Sequence, residues 1–130
     1  VSGHWPAGLC GVAAMGSLNV RAAHFAEVCE VLQSTFGDDR QIIEQEVKQG
    51  VAQCWQIGQA AAITRREGPE LVVVCLAGRG GLEAGRVICQ AAKAAGCETI
   101  RFHTKRPALG RMMAPLGAAL REYVYEIRCQ

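Results

Sequence analysis

The sequence predicts an α+β domain built on a mixed sheet with an antiparallel meander and helices on both faces, and three observations predict it. Apolar residues recur at helical spacing through two stretches of the first fifty residues. Three short strand-like runs then follow one another across tight turns. The third of these passes through glycines straight into a further amphipathic helix. With 130 residues, half of them hydrophobic, the chain has material for one core and not two. A charged fraction of 20% and a mean hydropathy of +0.11 exclude disorder, and 15 Gly without any period exclude a collagen-like chain.

Residues 1–17, VSGHWPAGLCGVAAMGS, show no clear period and read as an extended arm or an irregular first strand. No basic region precedes Leu9 to Met15, and that apolar stretch is short and broken by glycine, so neither a signal peptide nor a membrane span is expected. From Arg21 onward, Ala22, Phe25, Val28, Cys29 and Leu32 fall at helical spacing with Glu27 and Glu30 opposite, a helix that ends near Gly37. Asp38 followed by Gln41 resembles a capping box, and Ile43 and Val47 carry the stripe of a second helix to Gly50.

After Gly50 the period becomes strand-like over Val51 to Ile57, Ala60 to Arg65 and Leu71 to Leu76, with Gly58-Gln59 and Glu67-Gly68-Pro69 between the runs. The last run is apolar throughout, as expected of a central strand covered on both faces. It ends at Ala77-Gly78-Arg79-Gly80-Gly81. The next helix turns Leu82, Ala84, Val87, Ile88, Ala91, Ala92 and Ala95 inward and Glu83, Arg86, Gln90 and Lys93 outward, with Gly96 placed to cap it. Glu98 to Thr104 reads as a strand and Pro107 to Leu116 as a short helix. Arg121 to Cys129, with Tyr123 and Tyr125, reads as a closing strand.

A net charge of +2 is too small for non-specific DNA binding, which neutralises many phosphates at once. Arg101, Lys105, Arg106 and Arg111 form a local basic cluster without interleaved aromatics to stack bases, which reads as solvated surface charge. The seven cysteines are widely spaced with no CxxC pair, and Cys75 and Cys89 sit inside apolar runs. They read as small buried hydrophobes of a reducing cytoplasm, with no metal site expected.

The junction LVVVCLAGRGGLEAGRVICQAAKAAGC carries the chemistry. A buried strand running through glycines into a helix exposes unpaired N–H groups at a positive helix end, a setting for phosphate or pyrophosphate, and Arg79 can add a bidentate contact. The alternative is a tight turn holding no ligand. A dinucleotide-binding fingerprint starting at Gly78 is excluded, since Glu83 stands at its last position and a meander, not a βαβ unit, precedes it.

With these residues in view, the chain resembles the GNAT N-acetyltransferase superfamily, in which a helix pair precedes a three-strand meander. In that family the turn after the fourth strand, Arg/Gln-x-x-Gly-x-Gly/Ala, cradles the pyrophosphate of acetyl-CoA. Here the turn is Arg79-Gly80-Gly81-Leu82-Glu83-Ala84, matching at the first and last positions, with Leu82 at the internal glycine. The stretch GCETIRFHTKRPALGRMMAPLG is similar to small GNAT-like proteins encoded by tailed bacteriophages. The resemblance implies a single domain over residues 18–130 with acetyl-CoA as cofactor, held by Cys75, Leu76 and Ala77 of the strand and by residues 79–84. It also implies transfer of acetyl to an amine acceptor in a host cytoplasm or a virion.

The family's second signature, Asn-x-x-Ala-x-x-Leu-Tyr-x-x-x-Gly-Phe, falls on Arg106, Leu109, Met112, Met113, Gly117 and Ala118, so the tyrosine that protonates departing CoA thiolate is Met113. A catalytic version needs a substitute, Tyr123 or Tyr125 on the last strand or water. The resemblance also implies that His103 closes a strand near where the fourth and fifth strands splay apart around the thioester, which makes it a candidate base. Glu67, Glu70 and Glu98 are carboxylates of the right type at turns and strand starts. A different class of function fits the same departures: a GNAT-like protein without catalysis, acting as a virion-associated or protein-binding module among phage or host proteins, with the apolar arm around Trp5 and Leu9 buried against a partner.

Overall fold

The computed structural model describes residues 19–104 and 107–129. The arm over residues 1–17, like Lys105 and Arg106 of the basic cluster, lies outside the described residues.

The first element among the described residues corrects the sequence reading. Val20–Ala23 is a strand, β1, antiparallel to the later strand Ala52–Ile57 (β2), with Ala22 opposite Trp55. The expected helix starts only at Phe25 and runs to Phe36 (α1). Its start is fixed by His24 and Glu27, whose carboxylate accepts the His24 backbone N–H at 2.6 Å and so satisfies a donor that the helix leaves free. Ala22 sits three residues before Phe25, which mimics helical spacing. The backbone of Val20–Ala23 instead finds its hydrogen bonds in the ladder to β2. A 3-10 turn, Gly37–Asp39, leads into Arg40–Lys48 (α2). The box expected from Asp38 and Gln41 does not form, because that turn moves the helix start on by one residue and leaves Asp39 as an N-cap without a side-chain bond.

The meander forms as read, β2 with Ala60–Glu67 (β3) and β3 with Glu70–Gly78 (β4), both pairs antiparallel. Helix Gly81–Ala94 (α3) crosses over to Thr99–Phe102 (β5), which runs parallel to β4 and completes a five-stranded mixed sheet in the order β1-β2-β3-β4-β5. At the end of α3, Gly96 takes φ +84° while its N–H reaches the Lys93 carbonyl at 3.1 Å and the Cys97 N–H reaches that of Ala92 at 2.9 Å. This double bond pattern terminates the helix. Pro107–Met113 (α4) follows, with a 3-10 turn at Ala114–Leu116.

Period-two alternation sorts the core into two layers. Trp55, Ile57, Ala60, Ala62, Leu71 and Val73 face α3, whose Ala84, Val87, Ile88, Ala91 and Ala92 pack on them. On the opposite face Cys54, Ala61, Ile63 and Cys75 meet Val28, Leu32 and Phe36 of α1 and Ile43 of α2. Trp55 enters this core with its polar edge satisfied, donating from Nε1 to the Thr64 hydroxyl at 3.0 Å. The α+β architecture with helices on both faces is therefore what the chain adopts. No helix among the described residues is long and apolar enough to cross a membrane.

The closing strand expected over Arg121 to Cys129 does not form. Residues 118–129 carry no regular secondary structure, and Tyr123, Val124, Tyr125 and Ile127 are exposed. Strand propensity alone cannot hold such a segment, and among the described residues no strand lies beside it to complete a ladder.

Candidate functional site

Strands β4 and β5 share a ladder only over its first half: Glu70 pairs with Thr99, Leu71 with Ile100, Val72 with Arg101 and Val73 with Phe102. There β5 stops, while β4 continues to Gly78. At this point β4 also carries a bulge. Thr64 faces Val73 and Ile63 faces Cys75, so Val74 has no opposite residue on β3. An extra residue bends its strand and increases the local twist. The bulge is visible in the packing as well, since Val74 and Cys75, consecutive in sequence, both turn toward the α1 layer. Beyond it Leu76 returns to the α3 side and Ala77 to the α1 side. The result is a fork. From Val74 to Gly78, the β4 edge that faced β5 has no β5 residue opposite it.

The fork opens at the end of β4 that runs into the glycine turn. Gly78 has φ +106° and Gly80, the residue before α3, has φ +79°. Gly80 has no side chain to cap the helix and a Cβ placed there would meet nothing within 4 Å. The first intrahelical bond at this end runs from the Ala84 N–H to the Gly80 carbonyl at 2.9 Å. An α-helix leaves its first-turn N–H groups, here those of Gly81, Leu82 and Glu83, without intrahelical acceptors. Arg79 is exposed and makes no ion pair with a described residue. Leu82 is half-buried, and the Glu83 carboxylate stands 3.5 Å from Arg86 Nε, both exposed. The turn thus offers a row of backbone donors, an open approach at Gly80 and a neighbouring guanidinium, which suits an anionic group.

Of the three strand residues expected to hold a cofactor, Leu76 packs on the α3 layer and Cys75 and Ala77 on the α1 layer. Cys75 is buried and its thiol is pushed above the usual range by desolvation. Cys54, on the same layer across Ile63, is pushed up to about 11 by burial, with Cys75 adding to it. Both are packing groups and not nucleophiles at neutral pH. No group of three or more His, Cys, Asp or Glu among the described residues is arranged to hold a metal.

His103 follows Phe102, the last residue paired to β4, and so stands where the fork begins. It is exposed, with Nε2 3.8 Å from Glu122 Oε1. Tyr123 and Tyr125 lie in the exposed tail, stacked on one another with ring centroids 6.4 Å apart. Met113 is buried: a Cβ on Gly85 of α3 would stand 3.0 Å from its sulfur and from Leu116 Cδ1. The missing side chain of Gly85 is what lets α4 and its following turn close on α3.

The three candidate carboxylates gather at the other end of β4, eight residues from Gly78 or roughly 25 Å along the strand. Two belong to a chain of ion pairs: Arg65 bridges Glu46 at 2.9 Å and Glu67 at 2.7 Å, Arg101 bridges Glu67 at 3.1 Å and Glu70 at 2.9 Å, and Arg121 reaches Glu70 at 2.6 Å. The Arg65 hydrogen bond, followed by that of Arg101, holds the Glu67 carboxyl below the usual range. Thr99, donating at 2.8 Å, and then Arg121 do the same for Glu70. Glu98 is exposed at the start of β5, its N–H donating to the Pro69 carbonyl at 2.7 Å. Arg101, read from sequence as part of a free basic cluster, is committed to this network.

Carboxyls held low in the folded state stabilise it above their unfolded pKa, near 4.5, and that stabilisation disappears as pH falls through the lower folded value. The urea midpoint is therefore expected to drop more steeply below pH 4.5 in the wild type than in Glu70→Gln. A constant difference between the two proteins from pH 6 to pH 3 would contradict this.

The bulge had no signal in the sequence. Within Leu71-Val-Val-Val-Cys-Leu every residue is apolar, so a slipped phase leaves the pattern unchanged. No family model matches this chain, and no curated protein matches it.

Proposed function

We propose that this domain binds acetyl-CoA, with the thioester arm lying in the fork between β4 and β5 and the pyrophosphate on the turn 79–84. The observation that carries the reading is the β4 edge from Val74 to Gly78, open among the described residues and ending directly in a side-chain-free helix start. An extended, amide-bearing pantetheine arm can complete the unpaired edge as a strand would, while the phosphates meet the Gly81, Leu82 and Glu83 amides and Arg79. The chemistry such binding supports is acyl transfer to an amine. The amine nitrogen attacks the thioester carbonyl, the C–S bond breaks, and the thiolate leaves as CoA while the nitrogen gives up a proton. His103, at the closed end of the fork, is the side chain proposed to accept that proton. Positioning supplies the rest.

A second reading, a non-catalytic binding module, is favoured by one observation: Met113, at the position of the family's acid, is buried against Gly85 and has no proton to give. Both readings are tested together by thermal unfolding with acetyl-CoA. Ligand at a hundred times its dissociation constant adds about 2.7 kcal/mol, a shift on the order of 10 °C for a chain of this size. Gly80→Glu, which sets a carboxylate against the phosphates, is expected to remove the shift. The absence of any shift at millimolar acetyl-CoA would overturn the cofactor assignment. A shift without acetylation of a panel of primary amines would favour the binding module.

A further inference from the structure

Five of the nine large hydrophobic side chains exposed among the described residues, Leu120, Tyr123, Val124, Tyr125 and Ile127, belong to the tail, so this segment is the main uncovered apolar surface. It contains no glycine or proline, and the side-by-side stacking of Tyr123 and Tyr125 at 6.4 Å matches the distance between alternate residues on one face of a strand. Its root is fixed to the domain by Arg121 on Glu70. The segment has the residue pattern of a strand, and among the described residues no strand pairs with it.

The tail is complementary to itself. A twofold axis normal to an antiparallel ribbon keeps every side chain on its own face, so one residue must oppose its own copy. With Tyr125 on the axis, Glu122 stands opposite Arg128, twice by symmetry. Tyr123 then stands opposite Ile127 on the same face as the facing Tyr125 pair. With Val124 on the axis Glu122 opposes Glu126, and with Glu126 on the axis that carboxylate opposes itself. Tyr123 on the axis pairs no opposite charges. Ile127 on the axis sets Glu126 opposite Arg128 but puts Tyr125 opposite Cys129, without a facing aromatic pair. Cross-strand aromatic, aliphatic and opposite-charge pairs are the contacts that set strand register.

We propose that two copies of this chain associate through their tails, residues 121–129 pairing antiparallel with Tyr125 at the twofold axis. Within one copy, among the described residues, Glu126 stands 3.6 Å from Arg128 and Glu122 3.8 Å from His103, all largely exposed, and the ribbon exchanges both contacts for the Glu122–Arg128 pairs at small cost. The axis lies about 13 Å along the strand from Arg121, so the two domains join at the β5 side of their sheets while the fork stays in each.

The test is sedimentation equilibrium of the full chain under reducing conditions, because Cys129 is exposed. The expected result is a species of twice the 13.9 kDa chain mass. Arg128→Glu and Glu122→Arg each place like charges opposite one another and are expected to weaken association by about tenfold or more, while the double variant restores it to within about threefold. The side chains are exposed, so all three variants keep the wild-type far-UV spectrum. A wild-type chain that stays monomeric at about 100 μM overturns the proposal. So does a dimer that ignores both single substitutions, or a double variant no better than the singles.

Discussion

Gly78→Ala is expected to destabilise the domain by about 3 kcal/mol or more, seen as a fall in melting temperature on the order of 10 °C. Two costs combine. The backbone sits at φ +106°, a conformation side chains resist, and a Cβ there would stand 2.5 Å from the Gln59 carbonyl oxygen and 2.8 Å from Ala60 Cα. Both obstacles are backbone atoms of the β2–β3 turn, so relief requires that turn to move away from the end of β4, where Ala60 opposes Gly78. Gly80, two residues on, has φ +79° but nothing within 4 Å of where a Cβ would stand. Gly80→Ala should therefore cost only about 1 kcal/mol. Chemical denaturation of the two variants side by side checks the contrast, and equal losses would contradict it. The glycines of this turn thus divide by task. Gly78 serves the fold, while Gly80 keeps an approach open that the fold itself does not need.

That division explains what the sequence could and could not reveal. Glycines between an apolar run and an amphipathic helix announce a strand-to-helix turn, and β2, β3, β4 and α3 all form within about two residues of where periodicity puts them. Which glycine is sterically required depends on Gln59, nineteen residues earlier, and only the sheet register brings the two together. The same holds for the carboxylates. Glu67 and Glu70 are candidate bases by residue type, yet Arg65, Arg101 and Arg121, brought in from two strands and the tail, neutralise them at the end of β4 away from the glycine turn. β1 escaped because Val20–Ala23 is short and its pairing with β2 is a long-range choice. Tyr123 to Ile127 has every local mark of a strand, and lacks only a described neighbour.

Removing Val74 is expected to abolish acetyl-CoA binding while the domain still folds. The bulge makes Val74 the residue without a partner, so deletion leaves Val73 opposite Thr64 and Cys75 opposite Ile63 on either side. Every other side chain of β4 keeps its layer: Leu71, Val73 and Leu76 toward α3, Cys75 and Ala77 toward α1. The packing loss is confined to one half-buried valine, about 1–2 kcal/mol. A regular β4 no longer bends at the end of its ladder with β5, and the edge at residues 75–78 can then pair with the chain that follows Phe102. The place proposed for the acetyl-CoA arm closes without any other residue of β4 having been changed. Binding is expected to fall by about a hundredfold or more, measured by calorimetric titration. Hydrogen exchange should show new protection in the amides around Cys75 and His103. If the deletion variant unfolds, the assignment of side chains to layers fails. If it folds and binds as the wild type does, the bulge is not what holds the fork open.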